Sequence, residues 1–392
     1  MTSRLGRHRA RLLALLLGLL LAELILRLAG ARYPVWDRPT PGLREWGVPH
    51  AEGFFLGETR RWVRLNSLGV HDVEHTLAKP EGVTRIIVVG DSYVAAFEVA
   101  IEDAFWSVAE RELASCKALG GRRVEFINLS KRGYGTTEEL LALRRFGFDY
   151  DPDWVVLAFL TGNDLRNNSR ALKHSKRPYY LHAEDGRLVL DESYAESDDH
   201  RRSLGWRGEL WRAWVRRSRL LQVGLQLRRS WKSSREEAAS RRLEEVGEPG
   251  LDDGVYLESD DPAWRSAWRV SEDVIRLMRD EVEARGARFL LATLSNAIQV
   301  DPDRSRRERY AERIGAEDLF HPDRRLEAFA RSEGIAAIAL APDLRAWAEE
   351  NERCVHGFEG PWDCRGHWNA DGHRVAGERL AARLCEAMDA SG

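Results

Sequence analysis

The sequence predicts an α/β domain built on a parallel sheet with helices on both faces, and three observations predict it. Short β-branched runs recur along the chain, helical stretches alternate with them, and chemically capable residues follow the runs directly. The runs cover residues 85–89, 124–128, 154–160, 289–294 and 335–340, and each has the length and composition of a buried strand. Helices are expected over 105–119, 137–146, 264–285, 324–332 and 370–388. Roughly a hundred residues separate the third and fourth runs, where a crossover needs a few tens, so an insertion is expected over about 167–262. It holds a polar loop, then a basic amphipathic helix with Leu210, Trp214, Leu221 and Leu225 on one side, read as a cap packed on the domain.

Composition narrows the class. With 43% hydrophobic and 31% charged residues, the chain is neither disordered nor a polytopic membrane protein. Its 60 basic and 63 acidic residues nearly cancel, so bulk charge does not call for nucleic acid.

The N-terminus is different. Arg4, Arg7, Arg9 and Arg11 precede an apolar run that continues to Leu28, broken only by Glu23 and Arg27. A basic flank before such a run is an export signal. Residues 1–30 are therefore read as a signal anchor or signal peptide, with a transmembrane helix over about 12–28. The positive-inside rule then puts the rest of the chain outside the cytoplasm of a bacterial cell, single-pass at the cell membrane. Cleavage at Ala29-Gly30-Ala31 would instead release it. Residues 31–83 carry scattered Pro, Gly and Trp without a period, and are read as an extracytoplasmic tether plus an edge segment. The main domain is expected over 84–390. Four cysteines allow three pairings, with Cys354–Cys364 the favoured bridge, and no metal-ligand spacing is present.

In an open parallel sheet, ligands bind outside the carboxyl ends of the strands. Gly90-Asp91-Ser92 follows the first strand, giving a serine whose own N–H can face an oxyanion. Gly133 lies in the loop after the second strand, where glycine permits close backbone approach. Asn163 follows the third, and its amide can donate without adding charge. His367 lies beyond the fifth strand, just before the last helix. A serine needs such a base, and a third group must fix the imidazole tautomer. Asp363 is the nearest candidate for that role, with Asp371 the fallback. Asp91 is read as a loop organiser, Asn369 as a helix cap, and His373 as pointing away.

Ser92, Gly133, Asn163 and His367, each after a separate strand and in this order, resemble the SGNH (GDSL-type) esterase family, membrane-anchored bacterial type, over about 84–384. The resemblance implies a flavodoxin-like three-layer α/β/α sandwich with five parallel strands. It also implies a Ser92–His367–Asp363 site and an oxyanion hole from Ser92 N–H, Gly133 N–H and the Asn163 side chain. Two departures stand out: Thr161 occupies the family's usual Gly in the third block, and Asp363 lies four rather than three residues before the histidine.

The expected activity is that of a serine esterase or deacylase working through an acyl-enzyme, without metal or cofactor. Its expected partners are an ester-bearing small molecule, glycan or lipid and, through the N-terminal helix, a membrane. Acyl transfer to an extracellular polysaccharide by the same site is the alternative, and a non-catalytic surface binding module on the same fold is a second.

Overall fold

The computed structural model describes residues 4–243, 252–358 and 364–390. A short N-terminal part holds two hairpins, β1 (Asp37–Thr40) with β2 (Leu43–Gly47) and β3 (Glu52–Leu56) with β4 (Arg60–Arg64). The central sheet follows. Its strands are β5 (Val83–Gly90), β6 (Arg123–Ser130), β7 (Trp154–Leu160), β10 (Arg288–Leu294) and β11 (Ala336–Ala339), all parallel, in the spatial order β11-β10-β7-β5-β6. Between β7 and β10 lies a third hairpin, β8 (Tyr179–His182) with β9 (Leu188–Asp191).

This is the predicted five-stranded parallel sheet. In chain order it reads 2-1-3-4-5, so the order reverses between β5 and β7, and the carboxyl ends of these two strands are where a ligand site is expected. The strands are apolar throughout because both faces are covered. Ile87, Val89, Val155, Leu157 and Leu291 face one core, closed by α4 (Thr136–Ala142), α10 (Pro262–Glu283) and α12 (His321–Ser332). The alternate residues Ile86, Val88, Val156, Ala158 and Leu290 face the other, closed by α3 (Phe105–Leu113), α13 (Ala341–Asn351) and α14 (Ala370–Asp389). A disulfide between Cys116 and Cys385 ties α14 to the end of α3, and a second joins Cys354 to Cys364.

The residues read as a tether are folded. Phe55 and Val63 of the β3–β4 hairpin pack with Trp36, Leu65, Ala95 and Phe97 in a small core of their own. These strands are five residues long, with Phe54 beside Phe55 and Arg60 beside Arg61, so no alternation of apolar and polar positions shows.

The N-terminal segment forms α1 (Arg4–Leu28), and here one expectation is corrected: no helix among the described residues is long and apolar enough to cross a membrane. The reason lies in Glu23 and Arg27. Glu23 bonds to Arg27 at 2.8 Å and accepts from Ser218 Oγ, Arg219 N and Leu220 N at 2.9–3.1 Å. It thereby caps a helix of the insertion. The helix expected there is two, α8 (Trp206–Arg217) and α9 (Arg219–Leu243), broken at the extended Ser218. Of the expected apolar face, Leu210 and Trp214 on α8 are more than half exposed, while Leu221 and Leu225 on α9 are half-buried.

Candidate active site

The serine sits where the strand-end rule places it. Gly90 ends β5 because a Cβ there would run into Val94 and the Ala158 carbonyl, so the chain turns tightly into the short helix α2 (Ser92–Ala95). Asp91, fully buried, caps that turn: one oxygen accepts from Tyr93 N at 2.9 Å and the other from Asn163 Nδ2 at 3.0 Å. Burial pushes its carboxyl up, against the pull of those two bonds. Asp91 thus orients the Asn163 amide, whose second N–H remains to serve an oxyanion.

His367 reaches the same point from the far end of the chain. Its Nε2 lies 2.8 Å from Ser92 Oγ, and its Nδ1 lies 2.6 Å from Glu58 Oε1. The other Glu58 oxygen accepts from His367 N at 2.9 Å, so one carboxylate holds both the ring and its backbone. Glu58 lies in the β3–β4 turn, a segment in which sequence reasoning looked for no site residue. Gly366 makes the approach possible, since it adopts φ +83° and a Cβ there would strike the Glu58 carboxyl. Asp363 lies outside the described residues. Asp371 faces Arg353 at 2.6 Å rather than the imidazole.

The electrostatics favour a charged imidazole. Burial works against the imidazolium, but Glu98, Glu58 and Asp91 outweigh it and lift His367 to about 9. Glu98, itself buried, stands 3.9 Å from Nδ1. Glu58 is held below the usual carboxylate range, because the hydrogen bonds and charge of His367 overcome its burial.

A second histidine supports the wall behind the ring. His356 is buried with Nε2 2.9 Å from Ser295 Oγ and Nδ1 2.7 Å from the Gly366 carbonyl, and burial drops it to about 4, so it stays neutral. Trp368 Nε1 donates to the same Ser295 Oγ at 2.8 Å. His373 accepts from Phe105 N at 3.2 Å, turned away from Ser92, and Asn369 caps α14 through Gly372 N.

Gly133 adopts φ +75° in the β6–α4 loop, with open space where a Cβ would lie. Asn163 precedes α5 (Asp164–Asn167), and Thr161 is buried against Asn296 Nδ2 at 3.1 Å, so the exchanged third block still delivers the amide beside Asp91. The arrangement can deprotonate a serine and shield a developing oxyanion.

No family model and no curated protein matches the chain. Similar solved structures include an acetyl xylan esterase (AlAXEase), 14% identical with a TM-score of 0.39, covering 77% of this chain and 98% of its own. TesA is 14% identical with a TM-score of 0.35, over 77% and 98%. A member of the lipolytic G-D-S-L family from Veillonella parvula is 13% identical with a TM-score of 0.36, over 77% and 97%.

Proposed function

We propose that this chain is a serine esterase of the SGNH type, with Ser92 as nucleophile, His367 as base and Glu58 as the carboxylate that holds the imidazole. One observation carries the reading: the hydrogen-bond chain from Ser92 Oγ through His367 to Glu58, at 2.8 and 2.6 Å. A non-catalytic binding module has no use for it.

In this reading, neutral His367 takes the Ser92 proton at Nε2 as Oγ bonds to the ester carbonyl carbon. The carbonyl oxygen becomes an oxyanion held by Ser92 N–H, Gly133 N–H and Asn163 Nδ2. Collapse breaks the ester C–O bond, and the imidazolium returns its proton to the departing alkoxide. Water then repeats the sequence on the acyl-enzyme, releasing the acid and Ser92. Glu58 keeps Nδ1 protonated and balances the imidazolium charge without itself taking the proton.

The same reading places the chain outside the cytoplasm, which two disulfides support. It also brings α1 to a membrane, supported by exposed apolar residues on all its sides, among them Leu12, Leu13, Leu16, Leu20 and Ile25.

The test is labelling of the full chain by a fluorophosphonate, with peptide mapping of the adduct. A Ser92 adduct that vanishes in Ser92→Ala and falls sharply in His367→Ala is expected. No adduct in folded protein overturns the proposal.

A further inference from the structure

The two loops that carry Gly133 and Asn163 are pressed together. A Cβ on Gly135 would lie 2.7 Å from Asn167 Cβ, and Asn167 Nδ2 donates to the Tyr134 carbonyl at 3.0 Å. Around this junction four cations gather: Arg44 from β2, Arg166 from α5, Lys173 at the end of α6 (Arg170–Lys173), and Arg177. Glu138, in the first turn of α4, is fully buried between two of them, with Arg177 Nη1 at 3.0 Å and Arg44 Nε at 3.2 Å. Arg44 also meets Glu45 at 3.2 Å, but Glu45 is shared with Lys131 at 3.5 Å.

The other two cations are unmatched. Arg166 Nε is buried with no hydrogen-bond partner, and neither Arg166 nor Lys173 forms an ion pair among the described residues. Burial and the charges of Arg166, Arg177 and Arg44 bring the Lys173 ammonium down to about 8, against the opposing pull of Glu138. Like charges held together without counter-ions cost stability, and a half-buried cluster of this kind focuses a field that attracts anions. Arg supplies a planar fork for an oxyanion and Lys a point charge beside it.

The position matters as much as the charge. Arg166 follows Asn163 by three residues, so this cation is carried on the short helix that the oxyanion amide precedes.

We propose that Arg166 and Lys173, backed by Arg177 and Arg44, form a subsite for a carboxylate or phosphate group carried by the ester substrate. This rests on the esterase reading above, and it makes the preferred substrate an anionic ester rather than a neutral one. The site discriminates by charge: an uncharged ester reaches Ser92 without contacting the cluster.

The experiment uses the full chain with three acetyl esters of similar size: 4-acetoxybenzoate, 4-acetoxyphenyl phosphate and the neutral methyl 4-acetoxybenzoate. The wild type is expected to show a KM about tenfold or more lower for at least one of the anions, the arm that responds distinguishing carboxylate from phosphate. Lys173→Gln with Arg166→Gln should abolish that preference and leave the neutral ester within about twofold, while Lys173→Arg retains it. Binding is read separately by calorimetry with the non-hydrolysable amides 4-acetamidobenzoate, 4-acetamidophenyl phosphate and methyl 4-acetamidobenzoate, in wild type and double variant. Equal use and equal binding of charged and neutral ligands overturns the subsite. Preferential anion binding that disappears in the folded double variant, with no ester turned over and Ser92 unlabelled, upholds the subsite and overturns the esterase reading.

Discussion

Glu58→Gln keeps the size of the side chain and removes its charge. In the native site, Glu58 lies 2.6 Å and Glu98 3.9 Å from His367 Nδ1, and the imidazole is raised from 6.5 to about 9. That rise corresponds to about 3 kcal/mol of preference for the imidazolium, supplied jointly by Glu98, Glu58 and Asp91 against the cost of burial. A hydrogen bond to a charged group contributes about 1.5–3 kcal/mol, so the variant's base should titrate roughly one to two pH units lower. Turnover should fall about a hundredfold to ten-thousandfold, as expected when the imidazole loses the carboxylate that fixes its tautomer. The assay is the fluorophosphonate labelling rate across roughly pH 5 to 10, for wild type, Glu58→Gln and Asp363→Asn. Since the base must be neutral, the wild-type rate should climb with pH and level off above about 9, with roughly 1% of the imidazole competent at pH 7. The linked stability runs the other way: this raised histidine contributes fully below about 6.5, and the contribution is lost as pH rises through about 9. The reasoning is refuted if Glu58→Gln labels at the wild-type rate with an unmoved limb, or if Asp363→Asn is the variant that collapses.

Three further outcomes are expected. Asn163→Ala removes an oxyanion donor and should lower kcat about a hundredfold to a thousandfold with KM little changed; a loss confined to KM would contradict the assignment. The Cys116–Cys385 bridge closes a loop of 269 residues, so paired Cys→Ala substitution should cost about 2–5 kcal/mol, read by denaturant unfolding. Glu139 has both carboxyl oxygens buried without a partner, and burial together with the charges of Asp91 and Glu138 pushes it well up. A carboxyl raised in the fold contributes stability below its unfolded pKa that is lost as pH rises through the folded one. Glu139→Gln should therefore gain Tm relative to wild type between pH 5 and pH 8, and an offset identical at both would count against the buried charge.

The sheet was readable because each central strand is buried on both faces and so must be continuously apolar and β-branched, as in Ile86 to Val89 and Trp154 to Leu160. Ser92 and His367 were readable because their neighbours carry local constraints: Gly90 for the tight turn, Asn369 for the helix cap. Glu58 carried no such mark. Its position depends on the packing of Phe55 against Phe97, a contact between short elements with no period of their own. The one available trace was Gly366, whose missing Cβ makes room for a group the sequence does not name. Glu23 was hidden for a similar reason: as a break in an apolar run it reads as half of a local pair with Arg27, while its larger role is to cap a helix nearly two hundred positions later.

Glu58 precedes His367 by 309 positions, and Ser92 precedes it by 275. A ribosome therefore delivers the nucleophile and its carboxylate long before it delivers the base, and the nascent chain carries an inert serine for most of its synthesis. Closing so long a loop is slow and entropically costly, and it is repaid only when the last helix docks. In the proposed site, a break that undocks the Glu58 hairpin or the His367 loop separates Ser92 from its partners, so labelling of Ser92 would report that two distant stretches of the chain are in place.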